Sequence, residues 1–160
     1  MKILYLKTED PAISHLNYND FLHDTLLIGL RNKFGNEVID YPGAWYMYPE
    51  ERKKRVSNST QKFWGKLFTL YDSLEKYNSI DRDDINNKIK KNFFDFIVYG
   101  TIRGKNIFLE EAFNSKSKII FVDASDDGAL DREKVNKGPY FKMEFTDIDK
   151  NVYPIHLAVP

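Results

Sequence analysis

At 160 residues, 42% of them hydrophobic and 30% charged, the chain has the size and composition of one globular domain with a single core. Its 24 acidic and 24 basic side chains cancel, which argues against a nucleic-acid binder that works by neutralising phosphates. Cysteine is absent, which excludes disulfides, thiolate catalysis and zinc sites of the Cys type; with no signal peptide and no transmembrane segment in the sequence, a cytoplasmic location is expected.

In chain order, residues 2–7 read as a buried strand that ends in a polar loop over 8–19. Asp20 is placed to cap a helix in which Leu22, Leu26, Leu30 and Phe34 recur at helical spacing, with Gly35-Asn36 as its stop. Residues 37–41 form a short second strand halted by Pro42-Gly43. Strand, loop, helix, glycine and strand in this order open a doubly wound fold. The aromatic run Trp45-Tyr46-Met47-Tyr48 has the chemistry to stack on a sugar or a partner, and equally to plug the core beneath a loop. Lys53-Lys54-Arg55 reads as a solvated face. Phe63, Leu67, Leu70 and Leu74 share one face of a further helix, and Asp81 or Asp83 is placed to cap the next one, through Ile85, Ile89 and Phe93.

The clearest signal follows. Residues 94–101 and 118–123 are apolar runs without in/out alternation, as expected of strands covered on both faces, with a helix near 107–113 between them. Residues 140–145 alternate like a less buried strand, at an edge. The apolar segment 152–160 is read as a tail packed across the domain, as a chain cut at a domain boundary, or as the contact for another subunit, such as a second copy of the chain. The expected fold is a three-layer α/β arrangement, a mostly parallel sheet of about five strands with helices on both faces, in one domain over residues 1–160.

In such sheets ligands sit beyond the carboxyl ends of the strands, which here means the loops at 100–104 and 123–128. Asp123, Asp126 and Asp127 gather three carboxylates there, chemistry suited to Mg²⁺, Ca²⁺ or sugar hydroxyls; Ser125-Asp126-Asp127-Gly128 also has the composition of a turn. Thr101 and Arg103 follow the other strand, Arg103 with a guanidinium able to fork onto a ligand anion or onto Asp123. His15, in the first loop, is the best general base of the three histidines, and His23 faces the same cleft. His156 reads as packed.

Other sites are absent. The loop after the first strand has no glycine to admit a dinucleotide pyrophosphate, and the sequence contains neither a phosphate-binding loop nor a nucleophile elbow. No cofactor is expected. Asp81-Arg82-Asp83 and Asp147-Ile148-Asp149 share a three-residue spelling with metal-dependent sugar transferases, one too common to carry weight.

Taken together, Lys2-Ile3-Leu4-Tyr5-Leu6, the run 24–30 leading into Gly35-Asn36-Glu37-Val38, Asp95–Gly100, Ile119–Asp123, Tyr140–Phe145 and Val152-Tyr153-Pro154-Ile155 resemble the amino-terminal Rossmann-like half of GT-B glycosyltransferases, notably the bacterial spore-maturation-like group. The resemblance implies an acceptor-side domain that takes a sugar or glycan acceptor and works with a separate donor-binding domain or subunit. It would place His15 at the acceptor hydroxyl, with His23, Thr101, Arg103, Asp123, Asp126 and Asp127 lining the acceptor cleft. The alternative from the residues alone is a non-enzymatic α/β module for a small polar ligand or a protein.

Overall fold

A computed structural model of the chain describes residues 1–7, 21–56, 70–102, 104–146 and 149–155. The expectations placed on the 8–19 loop with His15, on the Asp20 cap, on Phe63 and Leu67, on Arg103, on Asp147 and on His156 lie outside the described residues.

Among the described residues six strands form one sheet: β1 (Ile3–Leu6), β2 (Val38–Tyr41), β3 (Phe96–Tyr99), β4 (Lys118–Asp123), β5 (Tyr140–Lys142) and β6 (Val152–Pro154). Their spatial order is β2-β1-β3-β4-β5-β6 and every neighbouring pair is parallel. Five helices accompany them among the described residues: α1 (Phe21–Phe34), α2 (Pro49–Val56), α3 (Ile85–Lys90), α4 (Leu109–Asn114) and α5 (Arg132–Lys137). Strands buried on both faces need no alternation, which is why Ile3-Leu4-Tyr5-Leu6 and Ile97-Val98-Tyr99 are apolar throughout and buried throughout.

The register sets Tyr5, Val98 and Ile120 side by side, so Phe121, next along β4, points to the opposite face. On the first face α1 packs with the His23 ring 4.8 Å from that of Tyr5. On the second, Phe113 of α4 meets Phe121 edge-on at 6.3 Å, and α3 packs beside α4. The arrangement is therefore a three-layer, Rossmann-like α/β fold with helices on both faces. The sixth strand comes from the segment read as a tail.

The stripe read along α1 is present, with Leu22 buried and Leu26, Leu30 and Phe34 packed against the core, and it widens to take in His23, Leu27 and Arg31, whose polar members find partners inside. Three local expectations are corrected. Leu74 is buried but lies in a turn, outside any helix. Neither Asp81 nor Asp83 caps α3: Asp84 precedes it and accepts from Asn87 Nδ2 at 2.7 Å. Residues 140–142 are not an edge strand, since β6 covers them and Tyr140 and Lys142 are fully buried.

Both real edges are blunted. The Tyr41 carbonyl bonds Lys7 N beyond the end of β1, so those of Val38 and Asp40 alternate to the outer side of β2. Arg31 Nη1 donates to the first at 3.1 Å and Arg82 Nε to the second at 2.8 Å. Along β6 the outward groups belong to Val152, whose N–H is spent on Asp149 O, and to Pro154, which has none.

Arg82 also binds Asp40 Oδ1 through Nη2 at 2.6 Å and Tyr77 O through Nη1 at 2.9 Å, and its guanidinium lies 3.9 Å from the Tyr77 ring centroid. Tyr48 donates to the same Asp40 oxygen at 3.0 Å, and Ala44 N to the other at 2.8 Å. Burial, then the Asp40 charge, pushes the Tyr48 hydroxyl far above its ordinary value, so it remains a donor. This clamp folds the aromatic run inward: Tyr46, Met47 and Tyr48 are buried, a plug rather than a platform. Truncating Arg82→Ala should lower stability by about 2 kcal/mol in urea denaturation, and Arg82→Lys should restore little, because an ammonium cannot fork onto carbonyl and carboxylate together.

Candidate functional site

All six strands being parallel, their carboxyl ends share one rim. Thr101 and Asp123 lie two residues beyond Tyr99 and Phe121, which face each other in register, so the two loops predicted to carry function leave the sheet side by side. The sheet order reverses between β1 and β3, and the crevice of an open α/β sheet forms at such a point.

At that point the side chains are close-packed and polar. Tyr5 Oη donates to His23 O at 2.7 Å, tying β1 to the first turn of α1. His23 is 1% exposed and Asp24 is fully buried; His23 Nδ1 lies 3.2 Å from Asp24 Oδ1, which also accepts from Tyr46 Oη. Lys7 Nζ donates to Tyr46 Oη at 3.2 Å. Among the described residues Asp24 Oδ2 has no hydrogen-bond partner. Gly100 closes the crevice from β3: a Cβ there would sit 2.2 Å from Tyr5 Oη and 2.8 Å from His23 Cδ2, so only glycine fits. Thr101, next along, is buried.

A second polar group lies at the ends of β4 and β5. Asp123, 4% exposed, accepts from Tyr140 Oη at 2.7 Å and Lys142 Nζ at 2.8 Å on Oδ2, and from Ser125 N at 2.9 Å and Ser125 Oγ at 2.6 Å on Oδ1. Burial pushes its carboxyl up, but the hydrogen bonds from Lys142, Ser125 and Tyr140 outweigh that and hold it below the usual carboxylate range. Lys142 has no exposed surface and donates also to Ser125 Oγ at 2.7 Å. The Tyr140 hydroxyl is raised well above its ordinary value, by burial first and then by Asp123, and stays protonated.

The three predicted carboxylates therefore part company. Asp123 turns inward with its acceptor sites filled. Asp126 is exposed on the rim, and Asp127, also exposed, accepts from Ala129 N at 3.1 Å and lies 3.8 Å from Lys142 Nζ. Among the described residues no group of three His, Cys, Asp or Glu side chains is placed to hold a metal ion. The described members of the two Asp-x-Asp spellings have structural partners: Asp81 pairs with Lys88 and accepts from Asp83 N, and Asp149 accepts from Asn151 N and faces Arg132.

Sequence reasoning missed Lys142, Tyr140 and Ser125 as partners of Asp123, and Tyr46 as partner of Asp24. The signal for Lys142 was present: a lysine at the end of one strand, on the face where an aspartate ends its neighbour. Compared with protein-family models, with curated proteins and with solved structures, the chain matches none. Among the described residues no helix is long and apolar enough to cross a membrane.

Proposed function

We propose that this chain is the acceptor-side domain of a glycosyltransferase-like protein, completed by a donor-binding domain or subunit. The observation that supports the reading is the single carboxyl rim of the parallel sheet, where the loops after β3 and β4 leave side by side and the second carries the exposed carboxylates of Asp126 and Asp127 above the buried His23 and Thr101. Exposed carboxylates are the acceptors that sugar hydroxyls need. In this scheme Asp123 contributes by fixing Ser125 and Lys142 beneath the rim, and Arg103 binds the ligand. His15 takes the proton from the acceptor hydroxyl. The freed oxygen then attacks the sugar carbon of a donor held by the second domain, and the donor's nucleotide leaves.

Ligand-observed NMR against simple sugars tests the reading. Saturation transfer to a sugar is expected, weakened about tenfold in Asp126→Asn/Asp127→Asn, the loss of hydrogen bonds to charged groups. Transfer to no sugar, or transfer unchanged in that variant, removes it. A second reading, a binding module without catalysis, is favoured by one specific observation: Asp123, Lys142 and Tyr140 satisfy one another and offer no group for chemistry. Sugar binding that survives His15→Ala, with no transfer when a donor-binding partner and nucleotide sugar are added, selects it.

A further inference from the structure

The opposite, amino-terminal rim of the sheet carries a surface that the proposed function does not use. The turns entering β3 and β4 are stitched together there: Lys116 N donates to Asn92 Oδ1 at 2.6 Å, Ser117 Oγ to Phe94 O at 2.7 Å and Lys118 N to Asp95 O at 2.9 Å. Between them runs a groove of about 650 Å³ lined by Asn92, Phe94, Asp95, Phe96, Lys116 and Lys118. Beside it Phe93 is 44% exposed, unusual for a large apolar side chain on a domain with a well-filled core. The ammonium groups of Lys2 and Lys88 each lie 6.0 Å from its ring centroid, and Lys118 Nζ lies 5.7 Å from that of Phe96.

The charges here are not balanced locally. Lys2 and Lys88 have carboxylate partners in Glu37 and Asp81, at 3.0 and 2.7 Å. Lys90, Lys91, Lys116 and Lys118 are exposed and, among the described residues, form no ion pair. Helices finish at this rim with lysines in their last turns, Lys88 and Lys90 on α3 and Lys137 on α5, the placement that the helix macrodipole favours; Lys134 of α5 is buried and paired with Asp131 instead. A chain without net charge thus presents a basic, partly aromatic end.

We infer that this rim docks an acidic segment of a partner protein, one carrying an apolar side chain that lies against Phe93. Charge complementarity selects the acidic character and the exposed ring selects the apolar anchor. Asp95 selects a peptide over a continuous polyanion. Its carboxylate is exposed among the lysines, accepting from Lys2 N at 2.7 Å and lying 4.0 Å from the Met1 ammonium; it interrupts the basic surface under a continuous phosphate run or an anionic bilayer, whereas a peptide can space its carboxylates on either side of it. The absence of net charge likewise leaves no long-range pull on nucleic acid.

The test is fluorescence anisotropy with a labelled Glu-rich peptide carrying one central Phe, at low and moderate salt. Binding is expected to weaken at least about tenfold in Lys116→Glu/Lys118→Glu, which sets like charges against the peptide, and about fivefold in Phe93→Ser. Circular dichroism should stay unchanged in both variants, and thermal melting in Lys116→Glu/Lys118→Glu, whose side chains are exposed. Absence of binding at low salt overturns the inference. So does equal affinity in both variants, or tighter binding of an oligo-dT strand or of phosphatidylserine vesicles than of the peptide at the same salt. The sugar titration reads the other rim, so either result can fail without the other.

Discussion

Replacing Lys142 by methionine will lower the unfolding free energy by about 3–5 kcal/mol, the range for removing one member of a buried ion pair. The ammonium has no exposed surface, and in its absence the Asp123 carboxylate stays in the interior with only Tyr140 and Ser125 as donors. The double variant Asp123→Asn/Lys142→Met should lose less than the single one. An asparagine oxygen still accepts from Tyr140 and Ser125, and no unpaired charge is left behind. Urea denaturation of these two variants and of Asp123→Asn alone decides: a Lys142→Met variant within about 1 kcal/mol of the parent, or a double variant showing the sum of the separate losses, would refute the pairing.

The same pair sets a pH dependence. Asp123 titrates below the ordinary carboxylate value in the folded chain, so its contribution to stability is complete above the unfolded value near pH 4 and is lost as pH falls through the folded one. Asp131 at the start of α5, held down by hydrogen bonds from Lys134 that overcome its burial, adds in the same direction. Stability should therefore fall on acidification below about pH 4–5, and Lys142→Met should flatten that slope because the ammonium no longer favours the ionised carboxylate.

Gly100→Ala should cost about 3 kcal/mol, near the upper end for overpacking a core. Its Cβ would lie 2.2 Å from Tyr5 Oη and 2.4 Å from Cζ, and the Tyr5 ring cannot withdraw, being fully buried in the central strand and hydrogen-bonded to His23 O. Pairing the change with Tyr5→Leu opens the required space and should recover at least half of the loss, whereas Tyr5→Leu alone leaves a cavity and an unmet carbonyl. An alanine variant as stable as the parent would mean that β1, β3 and α1 do not meet as described. Because the crevice lies at this contact, sugar binding should weaken in Gly100→Ala even under conditions where the variant is fully folded.

How much of this the residues announced depended on which force decided each element. β3 and β4 were legible because a strand buried on both faces leaves an unbroken apolar run, and α1 because a long helix repeats its pattern often enough to be read. β6 was not, since it has only three residues and includes Pro154, which by itself argues against a strand; pairing with β5 supplies what propensity lacks. α5 was missed for a similar reason: it spans six residues, with Val135 its one buried apolar side chain, and only the Asp131 cap and the Gly138-Pro139 stop mark it. The rim itself was predictable from topology. The inward turn of Asp123 was not, because it depends on Lys142 and Tyr140 arriving on a neighbouring strand, a long-range pairing that no local pattern records.

The arginines along β2 and the proline in β6 bear on how the molecule behaves in a crowded solution. A fibril grows by adding chains to a free row of backbone donors and acceptors, and here Arg31 and Arg82 occupy that row on one flank while Pro154 deletes its donor on the other. Recruitment of further copies by strand addition is thereby hindered at both flanks of the described sheet. Association through loops and side chains, where sequence can choose the companion, is favoured over it.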